Sequence, residues 1–471
     1  MALSSQSRAR FISGNLRDAA LGSRAILSII NFVEGGTSMS VRRAKSFIVC
    51  LVIAVFLIGT ISAVAGAADQ KAKIPTEPIK IGFVVPLSGV AATLSPNAGI
   101  NAELAGEYMN KYEKGILGRP VKLIIYDEKN AQNAVEVFGK LVENDKVEAI
   151  LGILSSSIGL AVAPQVEAKW KIPTLLLEST TMALFTKVIP NPTYVYRIGP
   201  DDVMESITHV TAVLKEKPDV KTIAIGAPDY EWGHDVVKRF QEIMQKFKPD
   251  VKFVYTFFHP FGEAGPNFSA YITNVMQHKP DVYVGYSWGS DGVAWHNQAE
   301  ALGLYRRVPL VFDIFSGTAK GEMAREGVLG ETRGGNGTFP PYILGYPNSK
   351  FTPMILEKTG VLPTHGMDIH MLTGLLYLKK AYEKVYDLTG QYPTPAMVAK
   401  MLDGLSIMGP DGLSSMINHQ SSAPGMAVGR LHKEKGTWVM KDMKMVPDYL
   451  RIVPPWMTVE QFINSLDKLP K

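Results

Sequence analysis

The chain has one cysteine, Cys50, in 471 residues. That excludes a disulfide framework and a cysteine-built metal centre. Long runs of lysine or arginine are missing too, which argues against a nucleic-acid partner. The strictly apolar run, residues 47–58 (FIVCLVIAVFLI), is shorter than the ~20 residues a membrane span needs. The nine histidines are scattered. His365 and His370 stand five apart, a spacing that does not place both on one helix face, so no metal is expected. No glycine-rich phosphate fingerprint follows a strand, so no nucleotide or other cofactor is expected.

What is present starts with export. Arg42, Arg43 and Lys45 precede the apolar run, and small residues from Ala63 to Ala68 follow it. Residues 39–68 therefore read as a cleavable signal peptide, which sends the chain to the periplasm. The softer stretch 59–68 leaves an uncleaved anchor as the alternative. Residues 1–38 read as a non-native extension ahead of a start at Met39. Residues 1–68 carry seven basic and two acidic residues; taken from the totals of 49 and 44, that leaves 42 of each. The mature chain is formally neutral, and Cys50 leaves with the leader. Roughly 400 residues without disulfides must rest on a large apolar core, and two domains can supply one.

Short apolar segments then alternate with helical patterns. Strands are expected at 78–86 (PIKIGFVVP), 121–128, 147–154 and 173–178, with helices at about 98–112, 133–145 and 155–170. The pattern restarts near Asp202, with strands at 220–228, 251–258, 280–287 and 308–313 and helices between them. Strands apolar on both faces, alternating with helices, specify α/β units with doubly wound parallel sheets. Residues 330–341 (GETRGGNGTFPP) read as a connection, 370–388 as a long helix, and the last ninety or so residues only coarsely.

In such sheets ligands bind beyond the carboxyl ends of the strands. Those ends carry Ser155, Ser156 and Ser157, then Glu178, Ser179, Thr180 and Thr181, then Tyr230, Trp232 and Asp235, and finally Tyr286, Trp288 and Asp291. Serines at a helix start suit a carboxylate, although ordinary N-capping explains them equally. Aromatic walls with a few polar groups suit a small-molecule pocket, and core packing is the simpler account of any single ring.

From about Ile79 to at least Gly429 the chain resembles the substrate-binding proteins of branched-chain amino-acid-type ABC transporters. The resemblance rests on "IKIGFVVPLSG", "GRPVKLIIYDEKNAQNAVEVFGKLVENDKVEAILGILSSS", "PQVEAKWKIPTL", "YVYRIGPDD", "DYEWGHD" and, more loosely, "GPDGLSSM". It implies two hinged lobes, 78–199 with about 332–420 and 200–331 with about 421–471, closing on a small amino acid or a related amide or carboxylic acid. It implies a monomer that delivers this ligand to an inner-membrane permease. The resemblance places Ser156, Thr180 and the main chain at Glu178 on a ligand carboxylate, Asp291 on an ammonium and Trp232 nearby; the strand ends add Ser157 and Trp288 as candidate ligand contacts. The chain departs from the pattern at three places. Leu94 stands where an aromatic is common, Trp232 replaces a tyrosine, and Glu178 replaces a small neutral residue.

Two other readings compete. Gly285-Tyr286-Ser287-Trp288-Gly289 has nucleophile-elbow spacing, with Asp313 and then His365 or His370 as partners for a secreted serine hydrolase. That elbow stands partway through a second α/β unit, without a visible oxyanion segment, and 42 glycines make the spacing cheap. A receptor feeding a signalling system is the third.

Overall fold

The computed structural model describes residues 71–262, 266–315, 322–333, 350–361, 363, 365–410, 412–422, 426–446 and 452–469. The extension and leader readings, and most of the connection after residue 333, lie outside these residues. The first half runs β1 (Ile79–Val85), α1 (Ala98–Tyr112), β2 (Val121–Asp127), α2 (Ala131–Glu143), β3 (Ala149–Gly152), α3 (Ser156–Gln165), β4 (Thr174–Leu176) and β5 (Val195–Arg197). In β1, Ile79, Ile81, Phe83 and Val85 enter one apolar layer, while Val84 enters the other with Ile150 and Leu176. A strand covered by helices on both faces needs this apolar content at nearly every position; the exception, Lys80, donates through Nζ to the Asp145 carbonyl.

The second half runs α4 (Asp202–Glu216), β6 (Thr222–Pro228), α5 (Glu231–Phe247), β7 (Lys252–His259), α6 (Ser269–His278), β8 (Val282–Gly285), α7 (Gly289–Leu302), β9 (Leu310–Asp313) and β10 (Leu329–Arg333). Helix α4 starts where Asp201 accepts a hydrogen bond from the Met204 amide at 2.8 Å, an N-cap. Then follow α8 (Phe351–Thr359), α9 (Gly366–Thr389), α10 (Pro395–Leu402), β11 (Ser406–Gly409), β12 (Gly412–Ile417), β13 (Gln420–Ser421), β14 (Met426–Glu434), β15 (Thr437–Val446) and α11 (Val459–Ser465).

Two sheets result, ordered β11-β12-β13-β5-β4-β3-β1-β2 and β15-β14-β10-β9-β8-β6-β7. From β2 to β5, and again from β7 to β10, neighbouring strands are parallel. Both centres are doubly wound, as expected. Both far edges are antiparallel: β11 with β12, β12 with β13, β10 with β14 and β14 with β15. The sheets are thus mixed. Residues 330–333, read as connection, belong to β10 and pair with β14 in the second sheet. No helix among the described residues is long and apolar enough to cross a membrane.

Each sheet reverses its winding once, between β1 and β3 and between β6 and β8. At such a switch point the loops diverge to opposite faces and leave a crevice.

Candidate ligand site

A cleft with about 300 Å³ of empty space, part of it open to solvent, lies at these two switch points. One wall comes from the first sheet. Leu94 follows β1, Leu154 and Ser156 follow β3, Glu178 and Thr180 follow β4, and His365 caps the start of α9. The other wall consists of Glu205 in α4, Tyr230 and Trp232 after β6, Trp288 after β8 and Phe315 after β9.

The first wall is hydrogen-bonded throughout. Ser156 Oγ accepts from the Thr181 amide at 3.3 Å. Ser155, the N-cap of α3, makes no side-chain cap bond; its hydroxyl meets that of Ser157 at 2.9 Å. Behind this segment the buried Glu128 accepts from the Leu154 amide at 2.8 Å through Oε2. Burial without a cation pushes the Glu128 carboxyl up to about 8, against the lowering pull of the Leu154 and Ser155 amides. Glu178 Oε1 accepts from His370 Nδ1 at 3.0 Å. His365 Nδ1 lies 3.8 Å from the same oxygen. That nitrogen accepts from the Met367 amide at 3.2 Å, so it carries no proton and donates nothing to Glu178.

The second wall is aromatic. Trp232 Nε1 donates to Glu205 Oε2 at 3.0 Å, and Trp288 Nε1 donates to Tyr230 Oη at 3.2 Å. Ring centroids lie 6.0 Å apart for Tyr230 and Trp232 and 6.1 Å for Trp232 and Phe315. Burial raises the Tyr230 phenol well above its ordinary range, so its proton stays.

The walls meet at named contacts. Thr181 Oγ1 donates to Asp235 Oδ2 at 2.6 Å. Gly289, at φ +62°, would place a Cβ 2.4 Å from the Val90 carbonyl oxygen. Only glycine permits both that conformation and that approach.

The structure brings Ser156, Glu178, Thr180, Trp232 and Trp288 together around the cavity. It does not bring Ser157, which is exposed, or Asp291, which lies outside the lining. Asp291 is fully buried in the first turn of α7, where Oδ2 accepts from the Gly262 amide at 2.9 Å. Glu205, Phe315 and His365 were not read as ligand contacts. Glu205 sits one turn inside a helix, where strand-end reasoning does not look. Every residue from Asp202 to Val213 is buried, a result of packing that no sequence pattern marks.

Ser287 is also fully buried, and its hydroxyl donates to His259 Nε2 at 2.9 Å. The other ring nitrogen of His259 donates to the Pro260 carbonyl at 2.8 Å, where a triad would place a carboxylate. Burial lowers the His259 imidazole, which keeps it neutral. The partners expected for Ser287 are elsewhere: Asp313 lies 3.2 Å from His296, and His365 and His370 stand beside Glu178.

Two mixed α/β lobes with a cavity at facing switch points define a two-lobed binding protein. Residues 78–436 match the family described as periplasmic binding protein, and the chain belongs to that family. Among solved structures, a leucine-binding protein from Thermotoga maritima is 19% identical, with 78% of this chain and 98% of that one covered at a TM-score of 0.65. A solute-binding protein of an ABC transporter from Rhodopseudomonas palustris, in complex with 4-hydroxybenzoate, is 17% identical, with coverage of 82% and 100% and a TM-score of 0.66. An amino-acid ABC transporter substrate-binding protein from Pseudomonas fluorescens is 21% identical, with coverage of 81% and 98% and a TM-score of 0.64. At these identities the likeness is one of fold. Among curated proteins there is no significant match.

Proposed function

We propose that the chain is the solute receptor of an ABC transporter. It takes a small amino acid, or a related amide or carboxylic acid, between its lobes in the periplasm and passes it unaltered to an inner-membrane permease. It acts as a monomer after export by the leader at 39–68. Ser156, Thr180, Glu178, Trp232 and Trp288 contact the ligand; Ser157 and Asp291 shape the loops that carry these contacts. The observation that carries this reading is the cavity itself, which draws its walls from both switch points. The similar proteins from T. maritima and R. palustris are, respectively, named for leucine and solved with 4-hydroxybenzoate, both small carboxylic acids.

Closure follows from the geometry. A ligand that touches both walls binds the closed form better than the open one, and shifts the population by that difference. Titration calorimetry and small-angle scattering over amino acids, amides and aromatic acids test the reading. A micromolar ligand, about −8 kcal/mol, that also shrinks the particle supports it. Scattering unchanged by every compound sinks it. The buried Ser287–His259 pair is the one observation that favours a hydrolase. Ester turnover abolished by Ser287→Ala would establish that second reading.

A further inference from the structure

We infer that Arg197 is a positioning residue of the ligand site: it holds the loop of residues 179–181 so that the Thr180 N–H and hydroxyl face the cavity, and it ties that loop to the two strands from which the chain crosses between sheets. This rests on the receptor reading above, in which Thr180 contacts the ligand. Arg197 is not among the residues lining the cavity.

The guanidinium is fully buried at the end of β5. Its Nη1 donates to the Ser179 carbonyl at 3.0 Å and to the Thr181 carbonyl at 2.9 Å. Between them, the Thr180 carbonyl accepts from the Asp202 amide at 2.9 Å. Three consecutive carbonyls are thus held from behind. In a trans peptide unit the N–H points opposite to the C=O. The next unit shows this: the Thr180 carbonyl goes to Asp202 and the Thr181 N–H to Ser156 Oγ. By the same geometry, the Ser179 carbonyl on Arg197 turns the Thr180 N–H away from the guanidinium. Thr180 lines the cavity, and among the described residues its N–H and hydroxyl have no hydrogen-bond partner.

The loop needs such a hold. Ser179 has a φ of +60°, in the left-handed region that residues with a Cβ rarely adopt. Such a conformation persists where its surroundings over-determine it. Here the Ser179 amide donates to the Leu154 carbonyl at 3.0 Å and the Ser179 carbonyl rests on Arg197. Arg197 is anchored in turn. Its Nε donates to Gln420 Oε1, and Gln420 Nε2 donates to the Gly199 carbonyl at 2.7 Å. Arg197 and Gln420 are register partners in β5 and β13. Strand β5 leads into α4, and β13 leads into β14 of the second sheet. A planar guanidinium reaches two carbonyls and an amide oxygen at once; a lysine ammonium is a point charge on a flexible stem and cannot.

Leucine and 4-hydroxybenzoate, titrated by calorimetry, are the probes. Arg197→Lys should weaken a bound probe by about tenfold. It should also quicken hydrogen exchange at the bonded amides of residues 178, 179, 181 and 182, while β1 and β6 exchange as in the wild type. Thr180→Ala should cost about tenfold in the wild type and less than about twofold after R197K, because the second change removes a group already misplaced. Trp288→Phe, on the opposite wall, should cost the same factor in both backgrounds. An arginine that only supports the fold would leave the cost of T180A the same with and without R197K. That result, or unchanged exchange in the loop, overturns the inference. Should R197K not fold, Gln420→Ala removes the anchor with the guanidinium in place, and the same cycle with T180A decides. If neither probe binds the wild type, the receptor reading loses its ligands, and loop exchange alone upholds or overturns the hold by Arg197.

Discussion

The two walls of the cavity solve different problems. The first-sheet wall is made of short polar side chains and main-chain groups already engaged with one another: Ser156 with Thr181, Glu178 with His370, Glu128 with Leu154. The second-sheet wall is made of large rings with one carboxylate set among them. Polar groups at strand ends must be held by neighbours because burial without a partner is costly. Rings need only packing, and they present area at little entropic cost. On the proposed reading the first wall would set orientation and the second affinity, a division that substitutions can break.

The largest expected effect lies behind the first wall. Glu128 keeps its proton in the fold up to about pH 8, against 4.5 as its ordinary value. An acid raised in this way stabilises fully below pH 4.5, and its contribution falls as pH rises toward 8. The loss is on the order of 4 kcal/mol across the window. Glu128→Gln should abolish that fall, so melting temperatures followed from pH 5 to 9 should decline in the wild type and stay flatter in the variant. Parallel curves would break the account.

On the second wall, Trp232→Ala removes a buried ring that touches Tyr286 and Phe315 and leaves Glu205 without its indole donor. Denaturant unfolding should show a loss of about 3 kcal/mol, and ligand binding should vanish. Ser156→Ala strips the acceptor of the Thr181 amide. Calorimetry should find affinity for the same ligand about tenfold weaker, near the worth of one hydrogen bond to a charged group, with the fold retained. Ser287→Ala removes a donor to a neutral imidazole outside the cavity lining. It should change affinity by less than twofold and stability by about 1–3 kcal/mol, the cost of leaving a buried acceptor without its donor. A large affinity loss there would mean that the second wall extends beyond its rings.

Legibility followed the same divide. The parallel centres of both sheets could be read because a strand buried on two faces must be mostly apolar, as β3 is throughout and β1 is apart from Lys80. The strand-end rule then found Ser156, Glu178, Thr180, Trp232 and Trp288. The edges could not be read so well. Strands β11, β12 and β13 hold four, six and two residues, and β11 and β12 show one face to solvent at Met408, Leu413 and Ile417. Glycine, proline and methionine there mask the alternation. Glu205 and Phe315 were missed for another reason. They are placed by tertiary packing, one inside a helix and the other beyond β9, and local pattern carries no trace of that. Asp291, a strand-end acid by sequence, accepts from the Gly262 amide and is not among the residues lining the cavity.

If the chain is exported as proposed, the far edges of both sheets have a consequence for that export. The first sheet is finished only when residues 406–421 arrive, and the second only when residues 426–446 arrive. A chain threading outward from its N-terminus therefore cannot complete either half until nearly all of it has emerged. Pairing partners so far apart in sequence make assembly slow, and slowness of that kind keeps a polypeptide loose enough to be translocated before it locks.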